Sequence, residues 1–188
     1  MAISFRDLIT VLHGMGFGAL FMLAFSGAIG LIYASSLGAV AWETSSRHRT
    51  MYRLYLVSMA ALAWLTVLSG VYFVYPWYRA APPPGVTDLT GYPRSLLLSS
   101  PLTAGWHDYG MEWKEQVAWL APISMTMVAY LFLRYGPTLR RNGRLRAAAL
   151  GFTLVAFAVT GVAGMFGAFL NKFAPVRGGP EIILMRAR

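Results

Sequence analysis

LITVLHGMGFGALFMLAFSGAIGLIYASSLGAVAW, residues 8–42, contains no Asp, Glu, Lys or Arg. Crossing a hydrocarbon core about 30 Å thick as an α-helix takes ~20 predominantly apolar residues. Three further charge-free stretches, 54–78, 116–133 and 147–171, also meet that requirement. Nearly everything between them is short, charged or rich in Pro, Gly and aromatic residues. This pattern predicts an all-α integral membrane protein, a four-helix transmembrane bundle.

Composition agrees. The chain of 188 residues is 57% hydrophobic and 12% charged, where soluble domains carry about 25% charge. With four spans there is no room for a separate soluble domain. We expect one domain, 1–188, with spans at about 8–38, 52–76, 115–134 and 147–171, an outer loop at 77–114 and a carboxy-terminal tail at 172–188. Cysteine is absent, which removes disulfides, thiolate metal sites and covalent c-type haem attachment. The first apolar run is too long for a signal-peptide core and lacks a small-residue cleavage site, so it reads as the first retained helix.

The net charge of +9 invites a nucleic-acid reading, which its distribution argues against. Arg47, Arg49 and Arg53 fill one short connection, and Arg134, Arg140, Arg141, Arg144 and Arg146 the other. In a four-span bundle both lie on one side. Short loops dense in Lys and Arg stay in the cytoplasm, where they also meet anionic lipid headgroups. The other side holds as many basic residues, diluted over longer segments among six of the seven acids. Both termini and the 77–114 loop then face outward, into the periplasm of a bacterial cytoplasmic membrane.

Within the outer loop, Ala80-Ala81-Pro82-Pro83-Pro84-Gly85 should run extended, and Val74-Tyr75-Pro76 should stop the second helix. Ser99-Ser100-Pro101 has the form of a helix start, a hydroxyl cap followed by proline in the first turn. From there to Glu115, Trp106, Tyr109 and Trp113 recur at helical spacing, as do Asp108, Glu112 and Glu115. The expectation is an amphipathic helix in the outer interface that runs into the third span. Pro122 should kink that span and leave the Ala118 carbonyl without its usual donor.

An ionisable group inside the membrane is a functional candidate by default. His13 lies inside the first span near its outer end, and His107 lies on the same side in the amphipathic segment; His48 sits among arginines on the other. Two imidazoles from different helices are what a low-spin b-type haem needs, one on each side of the iron, and bundles build such sites from inward-facing side chains. We therefore take His13 and His107 as candidate haem iron ligands. Simple packing roles for both compete with this reading, as does ligation of a chlorophyll magnesium. Asp108, Glu112 and Glu115 read as a solvated face with Lys114 as local partner, able to steer a basic soluble electron carrier. Trp64, Tyr72, Trp77, Trp106, Trp113 and Trp119 gather toward the outer half as an aromatic belt, with room for a quinone among them. The spans otherwise offer only Ser and Thr hydroxyls, which can bond backbone within their own helix, so a pore or pump is disfavoured. No motif of an enzyme acting by itself is present.

Glycine- and alanine-dense faces on the first and last helices, and a Pro/Gly-rich tail carrying Ile182-Ile183-Leu184-Met185, suggest docking against other membrane subunits. Two function classes follow. One is an electron-transfer subunit with haem b near the outer face, set between a periplasmic carrier and the quinone pool of a respiratory or photosynthetic complex. The other is a cofactor-free accessory subunit that anchors such a complex. The general form is similar to small cytochrome b-type membrane subunits, at the level of fold alone.

Overall fold

A computed structural model describes residues 2–36, 46–139 and 141–183. The described residues are 81% helical. Among them, four helices are long and apolar enough to cross a membrane: α1 (Phe5–Ala34), α2 (Arg47–Arg79), α4 (Pro101–Gly136) and α5 (Gly143–Phe173). A short helix, α3 (Pro93–Leu98), lies in the loop between α2 and α4, where no helix is expected from sequence. The expected end of the first span, beyond residue 36, lies outside the described residues, as do Arg140, Leu184 and Met185. The protein is an integral membrane protein by these four spans.

The helices pack in a ring, α1 on α2, α2 on α4, α4 on α5 and α5 back on α1. The main core lies toward the end bearing the arginine-rich connections. Phe21 and Ala28 of α1, Leu56 and Met59 of α2, Met125 and Phe132 of α4, and Ala149 and Ala156 of α5 are buried there. A second cluster at the terminal end joins Tyr78, Leu97, Met111 and Leu170 beneath α3. Phe25 and Phe157 stack with centroids 3.9 Å apart across the α1–α5 seam, and the Tyr55 hydroxyl donates to the Ala24 carbonyl, tying α2 to α1. Thr66, Thr126, Thr153 and Thr160 each donate to the carbonyl four residues earlier, at 2.7–2.8 Å. Their hydroxyl protons are thereby spent on their own helices, while Thr126 Oγ1 also accepts from Trp64 Nε1 of α2 at 3.0 Å.

Three of the four spans contain a π-helical segment, with hydrogen bonds from i to i+5: Leu12–Ala19 in α1, Gly70–Val74 in α2 and Trp113–Val117 in α4. One of them lies just ahead of Pro76 and another ends five residues before Pro122, and at both prolines the backbone departs from expectation. Pro76 does not stop the second helix, which continues to Arg79. The wider turn before it supplies backbone that a ring nitrogen cannot bond. Likewise the Ala118 carbonyl, deprived of a donor at Pro122, accepts instead from Ala121 N at 3.1 Å. The irregularity is taken up in the turn ahead of the proline.

The termini are joined. β1 (Ala2–Ser4) pairs antiparallel with β2 (Glu181–Ile183), Ile3 opposite Ile182. Ser4 and Asp7 form a reciprocal capping box at the start of α1. Phe5 N and Arg6 N donate to the carbonyls of Pro180 (2.9 Å) and Gly178 (3.2 Å). The tail thus satisfies amides that the first helical turn leaves without partners. Gly178 and Gly179 have φ of 98° and 86°, a region open to glycine, and this bends the tail back onto α1. The Ile182–Ile183 part of the expected docking patch is paired with the chain's own amino terminus.

Ser100 caps α4 through Leu102 N at 3.3 Å with Pro101 at the first helical position, as Ser99-Ser100-Pro101 suggests. The helix is continuous from Pro101 into the third span. Pro84-Gly85 forms a tight turn in the otherwise extended 80–89 segment, with Gly85 at φ 84° and Val86 N donating to Pro83 O at 3.3 Å.

Candidate functional site at the terminal end of the bundle

His13 sits within the π segment of α1, and its ring meets α2 where that helix begins its own π segment. The His13 Nδ1 lies 3.0 Å from Ser69 Oγ. Ser69 donates its single hydroxyl proton to the Thr66 carbonyl at 3.1 Å, so Nδ1 is assigned as the donor and Nε2 keeps its lone pair. The imidazole lies against Gly70, where a Cβ would come within 2.8 Å of His13 Cε1. Gly70 is therefore the residue that leaves room for the ring. A histidine anchored through Nδ1 with Nε2 free is the arrangement proteins use to present a metal ligand.

His107 sits on α4 in a different hydrogen-bonded group. Its Nδ1 is 2.6 Å from the hydroxyl of buried Tyr78, with the two rings tilted at 32° and 5.8 Å apart. Either proton arrangement satisfies this contact. The phenol donating to Nδ1 puts the ring proton on Nε2, and Nδ1–H donating to the phenol frees Nε2 as a ligand. Arg94, Asp108, Glu115 and Arg79 carry charges near enough to bear on His107, and Arg94 Nε is buried without a hydrogen-bond partner.

The structure does not bring the two imidazoles into contact. The α1 segment around His13 rests on α2 and α5, whereas the start of α4 rests on α3 and α5. Tested as a haem site, the donor set fits at His13, whose lone pair is fixed by its partners, and fits at His107 in one of its two proton arrangements. Among the described residues no group of three or more His, Cys, Asp or Glu side chains could hold a metal ion.

Lys114, expected as a local partner of the acidic face, is set against α5 instead. It lies in the π segment of α4, beside the expected acidic face, yet its ammonium turns inward to α5, where a Cβ on Gly167 would lie 3.1 Å from Nζ. Asp108 and Glu112 are exposed, as a solvated face requires. The aromatic side chains do not share one face. Trp106 stacks on Phe169 at 4.4 Å and Trp113 Nε1 donates to the Val159 carbonyl at 3.4 Å, both toward α5, while Tyr109 is 76% exposed. Between them, Pro101, Leu102, Gly105, Trp106, Tyr109 and Phe166 line an open groove of about 330 Å³.

No known protein family, curated protein or solved structure matches this chain.

Proposed function

We propose that this chain is a membrane subunit of a larger respiratory or photosynthetic electron-transfer assembly. In this reading it holds one b-type haem near the outer face, with His13 as one axial ligand and His107 as the second, between a periplasmic carrier and the quinone pool. One observation carries the reading: Ser69 and Thr66 hold His13 in the proton arrangement that leaves Nε2 open. A haem iron bound there would supply one-electron chemistry. The chain's own contributions are orientation by Ser69, clearance by Gly70, and ligation by His13. His107 becomes a ligand when Nδ1–H donates to Tyr78, so Tyr78 would set its availability.

The orientation belongs to the same proposal. Dense arginines put the two short connections in the cytoplasm, and the termini, α3 and the start of α4 outside. The first turns of α4 then lie in the outer interface, where exposed Asp108 and Glu112 would meet a basic soluble carrier and lipid headgroups.

A cofactor-free accessory subunit is the second reading, favoured by a separate observation. A Cβ built on Gly14, Gly30, Gly151 or Gly164 meets nothing within 4 Å. Small residues facing outward are where another membrane helix approaches closely.

The test is a dithionite-reduced minus oxidised spectrum of the purified chain, backed by a pyridine haemochrome assay. A b-type α-band lost in His13→Ala and in His107→Ala supports the electron-transfer subunit. A flat spectrum leaves the accessory subunit, with pigment extraction then deciding chlorophyll. Retention of the full band in both variants would refute the ligand assignment.

A further inference from the structure

The arginines at the far end of the bundle fix the depth of the groove at the start of α4. Arg134 on α4 and Arg146 on α5 close their charge-free stretches on that side, and ~20 residues of helix cross the hydrocarbon. Counted back from Arg134 and forward from Arg146, the opposite boundary falls near Lys114 and Phe166. These two counts agree in space, since a Cβ on Gly167 would lie 3.1 Å from Lys114 Nζ. At about 1.5 Å per helical residue, Leu102 stands about 18 Å beyond that boundary and Tyr109 about 8 Å, whereas the headgroup layer is only about 5–8 Å deep. The first turns of α4 therefore rise through the headgroups into water. Leu102 is nonetheless 91% exposed and Tyr109 76% exposed, with Gly105 open between them. A contiguous apolar face held in water marks an interaction surface.

The groove also has a charged flank. With about 100° between successive residues, Leu102, Gly105 and Tyr109 share one face of α4. Asp108 and Glu112 stand about 100° and 60° to one side of Tyr109. Both carboxylates are exposed, and among the described residues neither has an ion-pair partner. Lys114 does not neutralise them, because it faces α5. Acyl chains do not reach this level, and an acidic rim repels anionic headgroups. The surface complementary to an apolar seat with an acidic flank is an apolar centre ringed by Lys or Arg.

We infer that the Leu102–Tyr109 face of α4 is the docking seat for a water-soluble basic protein, whose apolar centre covers the groove while its basic rim meets Asp108 and Glu112. This inference rests on the soluble carrier of the reading above, and names the side chains that seat it; it does not require the haem.

Cytochrome c serves as the probe, a basic soluble carrier whose apolar haem edge is ringed by lysines. Its binding to the full chain in phosphatidylcholine nanodiscs is read by isothermal titration, against lysozyme, which is similarly basic and lacks such an edge. The unsubstituted chain should bind cytochrome c at least about 10-fold more tightly than lysozyme. Leu102→Ser and Tyr109→Ser should each weaken cytochrome c binding about 10-fold and leave its salt dependence in place. Asp108→Asn combined with Glu112→Gln should flatten that salt dependence. Both apolar side chains are exposed, so their replacement spares the fold. No preference over lysozyme, or an affinity untouched by Leu102→Ser and Tyr109→Ser, overturns the seat and leaves diffuse charge steering alone. Depth is tested without any partner. The chain has no cysteine, so a nitroxide attached to Leu102→Cys reports that one position. It should meet a water-soluble nickel complex in preference to oxygen. The opposite preference puts this face in hydrocarbon and overturns the inference in favour of lipid. Cytochrome c binding by a chain with a flat haem spectrum would refute the haem and uphold the seat.

Discussion

Gly70→Ala should damage the protein through one contact. The added Cβ would meet His13 Cε1 at 2.8 Å, with Nε2 and Nδ1 at 3.4 and 3.5 Å. Ordinary contact begins near 3.4 Å, so the ring must retreat by roughly 0.6 Å, at the cost of an overpacked site of about 1–3 kcal/mol. That retreat strains the 3.0 Å bond from Nδ1 to Ser69, worth about 1 kcal/mol net. Alanine recovers up to about 1 kcal/mol over glycine in a helix interior. The net expectation is destabilisation by about 1–3 kcal/mol, read from reversible SDS unfolding of the purified chain followed by far-UV circular dichroism. Two controls isolate the cause. Gly14→Ala, where a Cβ meets nothing within 4 Å, should be neutral or stabilising. In a His13→Ala background the same Gly70→Ala change should lose its penalty, a coupling that only a direct contact produces. An equal penalty with and without His13 would falsify the reasoning.

Three other perturbations test separate parts of the fold. Asn142 caps α5 by accepting from Arg144 N at 3.0 Å and Leu145 N at 3.2 Å, so Asn142→Ala should cost about 0.5–2 kcal/mol and speed hydrogen exchange at those two amides. Gly179 has φ of 86°, a region costing other residues about 1–2 kcal/mol. Gly179→Ala should open the β1–β2 pairing and raise exchange at Ile3 about 5- to 30-fold. Asp88 accepts from Thr90 N (3.0 Å) and Thr90 Oγ1 (2.7 Å), which holds its carboxyl below the usual aspartate value. The turn is therefore supported above the unfolded pKa of about 3.9 and loosens as pH falls through the lower folded value. The Thr90 amide resonance should report that transition below pH ~4 and lose it in Asp88→Asn.

The four spans are legible in the sequence because hydrocarbon tolerates so few charges. Stretches without Asp, Glu, Lys or Arg mark them directly. That the helix runs on through the charged residues 108–115 is expected from the cap at Ser99-Ser100-Pro101, although these charges interrupt the apolar signal. The placement of Lys114 is legible in the spacing. An α-helix turns about 100° per residue, so Lys114 stands about 200° from Glu112, away from the acidic face and on the side that packs against α5 at Gly167. His13 is legible as a membrane-embedded imidazole. Its partners Ser69 and Gly70 are not, because they meet it only when α1 and α2 pack.

The pairing of β1 with β2 bears on how the molecule is assembled. Its strands are separated in sequence by all four spanning helices. No amount of early folding can form it, and α1 enters the membrane before the carbonyls of Gly178 and Pro180 can reach Phe5 and Arg6. The clasp therefore closes last, after α5 is inserted and its far end has reached the side where α1 begins. It works as a check on topology, since an inverted or missing span leaves the two strands on opposite faces of the bilayer and the first helical turn uncapped.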